Sequence, residues 1–91
     1  AGNRVDEGEL TALKEAAADG DMQARFDYAE AAFAAGHRDA AADELLAMFE
    51  ADREWNDGAS RTKLLQIFEA VGLEDPWVVA TRRRLSKILF G

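Results

Sequence analysis

Ninety-one residues carry 11 Lys and Arg against 18 Asp and Glu, with no cysteine and one proline. A chain this short makes one domain with a thin core, burying roughly two-thirds of the surface its unfolded form exposes; lacking cysteine it offers no disulfide framework, thiolate metal site or thiol chemistry, and no run nears the ~20 apolar residues of a membrane span. The net charge of −7 is split, with five basic and fifteen acidic side chains in residues 1–57 and six basic and three acidic ones in residues 58–91, so an acidic body disfavours general nucleic-acid binding and leaves one basic patch at Arg82, Arg83, Arg84 and Lys87.

Residues 1–5 read as a fragment edge, since no methionine leads and only Val5 is apolar enough to pack. Asp6 then sits at capping-box spacing from Glu9 and predicts a first helix to about Ala18, with Leu10, Leu13, Ala16 and Ala17 as its buried stripe. Asp19-Gly20-Asp21 ends it, and Asp21 is placed to cap a second helix that buries Met22, Phe26, Ala29 and Phe33. Arg25 falls beside that stripe, its stem along the core rim and its guanidinium in water. Gly36 supplies the left-handed backbone that closes a helix. Asp39 is placed to cap a third helix, burying Ala42, Leu45, Met48 and Phe49, carrying Asp43, Glu44 and Glu50 outward, and ending near Arg53. Asp21 to Trp55 therefore forms a helical hairpin, in which Ala29, Ala32, Ala41 and Ala42 give room to Tyr28, Phe33 and Leu45.

Trp55-Asn56-Asp57-Gly58 is a second junction, with Asp57 as the expected cap of a fourth helix and Trp55 as an apolar plug under the turn. Leu64, Leu65, Ile67, Phe68 and Val71 form the richest apolar run, so this helix is expected at the centre of the core. Gly72 follows Gly36 by 36 residues, close to the roughly 34-residue period of tetratricopeptide arrays, and makes the last two helices a degenerate second repeat. Asp75 caps and Pro76 opens a fifth helix to about Leu89. At ~100° per residue, Val78, Leu85, Ile88 and Leu89 face the core while Val79, Arg83, Lys87 and Phe90 share another side. The fold expected over residues 6–91 is all-α, about five antiparallel helices in a tetratricopeptide-like stack.

No nucleophile, base or metal set gathers in this pattern. His37 stands in a turn with no second ligand at helical spacing, acidic pairs such as Asp19 with Asp21 or Asp43 with Glu44 lie at or near helix starts where carboxylates favour the dipole, and Ser60, Thr62 and Ser86 have no basic partner in sequence. No enzymatic activity, metal or cofactor is expected. Trp55 and Trp77 read as plugs where helices meet. The outward side of helix five reads either as a solvated face or as a docking surface for a partner groove or acidic patch.

The order and spacing of Ala24-Arg25-Phe26-Asp27-Tyr28-Ala29, of Trp55-Asn56-Asp57-Gly58-Ala59-Ser60-Arg61 with Leu64-Leu65 and Phe68, and of Arg82-Arg83-Arg84-Leu85 with Leu89-Phe90 resemble the C-terminal domain of the chaperedoxins, the YbbN-type thioredoxin-like proteins. The resemblance implies a thioredoxin-like domain ahead of Ala1 that holds any redox cysteines, a cytoplasmic bacterial protein, and a holdase that keeps unfolded clients soluble and docks a GroEL-type chaperonin. It further implies that the C-terminal helix makes the chaperonin contact, through Arg83, Lys87 and Phe90 with Arg82 and Arg84 beside them. A structural or dimerisation module with no client or chaperonin contact is the alternative. Arg25 stands where tetratricopeptide repeats usually place an aromatic and Arg53 where a proline often ends the unit, and the lysine–asparagine clamp for peptide C-termini is missing.

Overall fold

Alanine-rich segments punctuated by glycine turns leave helix as the only regular structure among the described residues. The computed structural model describes residues 7–90; the expected cap at Asp6 and the edge at residues 1–5 lie outside them. Five helices follow in order, α1 (Glu7–Ala18), α2 (Met22–Ala34), α3 (Arg38–Ala51), α4 (Ala59–Val71) and α5 (Pro76–Phe90), with a single 3-10 turn at Trp55–Asp57 between α3 and α4. No strand occurs among the described residues. None of the helices is long and apolar enough to cross a membrane.

The glycine turns form as their sequence requires. At the end of α2, Gly36 takes φ +92°, its N–H donates to the Phe33 carbonyl at 3.0 Å, and the His37 N–H donates to the Ala32 carbonyl at 2.8 Å. This paired arrangement satisfies carbonyls that a helix end would otherwise leave open. Gly72 takes φ +123° and ψ +125° after α4, a conformation open only to glycine.

Two expected caps fall elsewhere. Helix α3 starts at Arg38 with His37 in the capping position, so Asp39 lies inside the first turn and its carboxylate instead accepts a hydrogen bond from the Trp77 indole. Helix α4 starts after Gly58, without a side-chain cap. Asp57 is drawn into a left-handed run with Asn56 and Gly58, at φ of +48°, +57° and +78° from Asn56 to Gly58, which asparagine, aspartate and glycine tolerate better than other residues. Asp21 holds the capping position of α2 but makes no capping bond through its side chain.

The centre of the core is α3, not α4. Ala41, Ala42, Leu45, Leu46, Met48 and Phe49 are all buried because α3 is packed by α2, α4 and α5 together. Helix α4 contributes Leu64, Ile67 and Phe68, whereas Leu65 is 39% exposed: neighbouring residues on a helix diverge by ~100°, and a helix at the edge of the stack has only one covered side. On α1, Leu10 and Ala17 are buried, Leu13 is half-buried and Ala16 is exposed. On α2 the buried face is Tyr28, Ala29 and Ala32, with Met22, Phe26 and Phe33 half-buried on its flank. That flank meets the next unit, where the Phe26 ring lies tilted against Trp55 with centroids 5.6 Å apart.

Arg25 is not free in water. Its Nε donates to Glu44 Oε2 at 2.5 Å, and the two side chains are 19% and 22% exposed, so Glu44 turns inward to the pair rather than outward.

Cross-helix partners advance together along the chain and fix the stacking direction. Phe26 and Glu30 of α2 meet Trp55 and Lys63, the ion pair Glu30–Lys63 closing at 3.2 Å, so α2 and α4 run parallel. Helices α3 and α5 are parallel likewise, for Asp39 meets Trp77 and Asp43 meets Arg84. The molecule is 18 Å through its thinnest dimension, two helices deep.

Candidate partner-binding surface

Helix α5 is well started. The Asp75 side chain accepts the Trp77 N–H at 2.8 Å and the Asp75 carbonyl accepts the Val79 N–H at 3.0 Å, while Pro76 fills the first helical position, where no amide is needed.

One flank of α5 is then fastened along α3. The Trp77 indole donates to Asp39 while the Arg38 guanidinium lies 5.1 Å from the Trp77 ring centroid, a cation–π contact that fixes the ring between two residues of the first α3 turn. Val78, Thr81 and Leu85 are buried, and the Thr81 hydroxyl is satisfied by the Trp77 carbonyl at 2.7 Å. Arg84 pairs with Asp43 at 2.7 Å. At the far end Arg53 donates to the Ile88 carbonyl, one of the carbonyls the last helical turn leaves without a partner, and its guanidinium lies 5.6 Å from the Phe49 ring centroid. Arg53 thus tethers the α3–α4 connection to the end of α5.

The opposite flank has no neighbour among the described residues. Val79 is 40% and Phe90 88% exposed, and Arg82 and Arg83 are exposed between them. Their spacing of i, i+3, i+4 and i+11 keeps all four on one side of the helix.

The five residues expected to meet a partner therefore divide. Arg82, Arg83 and Phe90 lie on the outer flank. Arg84 is engaged with Asp43, and Lys87 lines a shallow groove of about 350 Å³ between α3 and α5, beside Asp43, Glu50, Leu46, Ala47 and Ile88. The acidic edge of α3 takes the charge of Arg84 and faces that of Lys87, so the cations of the outer flank are Arg82 and Arg83.

Two further large apolar residues on the same hairpin are exposed. Leu73 is 55% exposed in the turn between α4 and α5, and Leu65 is exposed on α4. With Val79 and Phe90 they are the large apolar side chains most open to solvent among the described residues, and all four lie on the last hairpin. The signal for Leu65 is present in the sequence, since Leu64, Ile67, Phe68 and Val71 share an arc of about 100° that leaves Leu65 outside it. Nothing local marked Leu73.

His37 is exposed in the α2–α3 turn. Among the described residues no three His, Cys, Asp or Glu side chains gather where an ion could be held.

Compared with known proteins, residues 3–90 match a family model described as Tetratricopeptide repeat. No curated protein and no solved structure matches.

Proposed function

The chain belongs to the tetratricopeptide-repeat family, whose repeats are protein–protein interaction modules, and from that premise we propose that it is the partner-binding module of a cytoplasmic thioredoxin-like co-chaperone. In this reading the outer flank of α5 docks a GroEL-type chaperonin, and the same apolar surface helps to hold unfolded clients. The module has no catalytic role of its own, and redox chemistry belongs to the thioredoxin-like domain implied by the chaperedoxin resemblance.

The observation that carries the reading is the clustering of Leu65, Leu73, Val79 and Phe90 on one hairpin. Large apolar side chains left exposed on one hairpin, with cations beside them, are what an interaction surface requires. Arg82 and Arg83 supply those cations, and they would steer an acidic partner surface during encounter.

Capture on immobilised chaperonin tests the proposal at nanomolar protein. The doubly substituted chain Val79→Ser, Phe90→Ser should be recovered at least about tenfold less than the original, because two anchors at the centre of a contact commonly carry more than 1.4 kcal/mol between them. Both positions are exposed, so circular dichroism should show the helical content unchanged. Equal recovery of the two proteins would overturn the docking claim.

A further inference from the structure

The two ends of the stack are unlike in a complementary way. At the end formed by α4 and α5, the exposed Leu65, Leu73, Val79 and Phe90 are accompanied by the exposed cations Arg61, Arg82 and Arg83 and by two exposed carboxylates, Glu69 and Glu74. Arg61 and Leu65 are four residues apart on α4 and so share a side.

At the other end, α1 and the turn that follows it leave Glu9, Ala12, Glu15, Ala16 and Asp19 exposed. Spacings of three and four residues join them in one stripe, opposite the buried Leu10 and Ala17. One end thus presents large apolar side chains with three cations and two carboxylates, and the other presents alanines with three carboxylates.

We propose that the α4–α5 face of one copy packs on the exposed α1 face of a second copy, so that chains continue the helical stack head to tail. This rests on reading the last hairpin as a docking face and adds the occupant that the chain itself can supply.

Inside the molecule large side chains already meet alanine-bearing helix faces, with Tyr28 and Leu45 buried alongside Ala29, Ala32, Ala41 and Ala42, and the intermolecular contact would repeat that match. Charge favours this orientation. The α1 face offers three carboxylates to Arg61, Arg82 and Arg83, whereas a second α4–α5 face offers two carboxylates together with three like charges. Opposite charge at a contact favours the pairing and like charge suppresses it. A head-to-tail contact of this kind does not close on itself at two copies, so assembly continues with concentration unless a ring forms.

Sedimentation of the 91-residue chain at about 0.2 mM in low salt should give a weight-average mass that climbs past the dimer, and raising salt from about 0.05 to 0.5 M should weaken association at least about fivefold, since the exposed charges are then screened within a few ångströms. The variant Arg82→Glu, Arg83→Glu and the variant Glu9→Lys, Glu15→Lys, Asp19→Lys should each sediment as monomers with full helical signal. Mixed in equal amounts, they should associate again, because each then carries the charge the other lost. A monomer at every concentration, or a mass that levels off at the dimer and ignores the α1 substitutions, would overturn the proposal. So would two variants that remain monomeric when mixed. Chaperonin capture is read at nanomolar protein, far below the range in which copies associate, so that either reading can fail while the other stands.

Discussion

Replacing Leu45 by alanine, and separately Leu64 and Leu65, measures where the core of this stack lies. Leu45 and Leu64 are fully buried on α3 and α4, whereas Leu65, next along the chain, is 39% exposed. Removing a buried leucine side chain to the β-carbon costs about 3–5 kcal/mol, through lost transfer energy and the cavity left behind. Against a total of about 5–10 kcal/mol for a domain of this length, either buried substitution removes a large part of the stability. Leu45 lies on the helix packed from three sides, which has least freedom to collapse into a void, so Leu45→Ala should fall at the upper end of the range and Leu64→Ala nearer the lower. Leu65→Ala should cost no more than about 1 kcal/mol, because much of its side chain is already in water. Urea unfolding followed by far-ultraviolet circular dichroism gives the three values directly, with an unchanged denaturant slope showing that only stability has moved. If Leu65→Ala destabilised as much as Leu64→Ala, the assignment of α4 to the edge of the stack would be wrong.

Gly72→Ala should cost about 1 kcal/mol or more by the same unfolding assay, entirely from backbone strain at φ +123°, since no atom lies within 4 Å of where the new methyl would stand. At Gly36, whose backbone is nearer the left-handed region asparagine tolerates, Gly36→Asn should cost less than Gly72→Asn. Arg53→Ala should speed amide hydrogen exchange in the last turn of α5 while leaving α3 protected, because it removes a donor to the Ile88 carbonyl. A double-mutant cycle on Arg25 and Glu44 should give a coupling of about 1 kcal/mol, and one on Arg84 and Asp43 about half that or less, since the second pair is 54% and 60% exposed and strongly screened. Equal couplings would show that burial does not set the difference.

What could be read from the sequence was local. Gly36, Gly72 and the Asp75-Pro76 start of α5 were legible because each is decided by a residue's own backbone preference or by a side chain reaching two residues along. Asp39 and Asp57 look like caps by the same logic and are not, for reasons that lie outside the local pattern: the indole of Trp77, 38 residues away, takes the Asp39 carboxylate, and a left-handed turn absorbs Asp57. The pairing of Arg25 with Glu44 spans 19 residues and has no periodic signature. Burial is not legible in the sequence where it depends on how many helices surround a position, which is why α3 outranks the more apolar α4. On the candidate surface, helical spacing was enough to group Val79, Arg83 and Phe90, but Lys87 is drawn toward the acidic edge of α3 by a neighbour that α5 alone does not reveal.

The left-handed turn at Asn56, Asp57 and Gly58 acts as an angular index for everything after it. A chain one residue shorter there would present α4 rotated by about 100°, exchanging Leu64 for Leu65 against the core and carrying Lys63 away from Glu30. Substitutions at the surface of this hairpin leave that setting alone, whereas changes of length reset it. The junction is therefore constrained in residue count as well as in the asparagine, aspartate and glycine that its left-handed positions favour, and an insertion meant to leave the second unit intact belongs outside it.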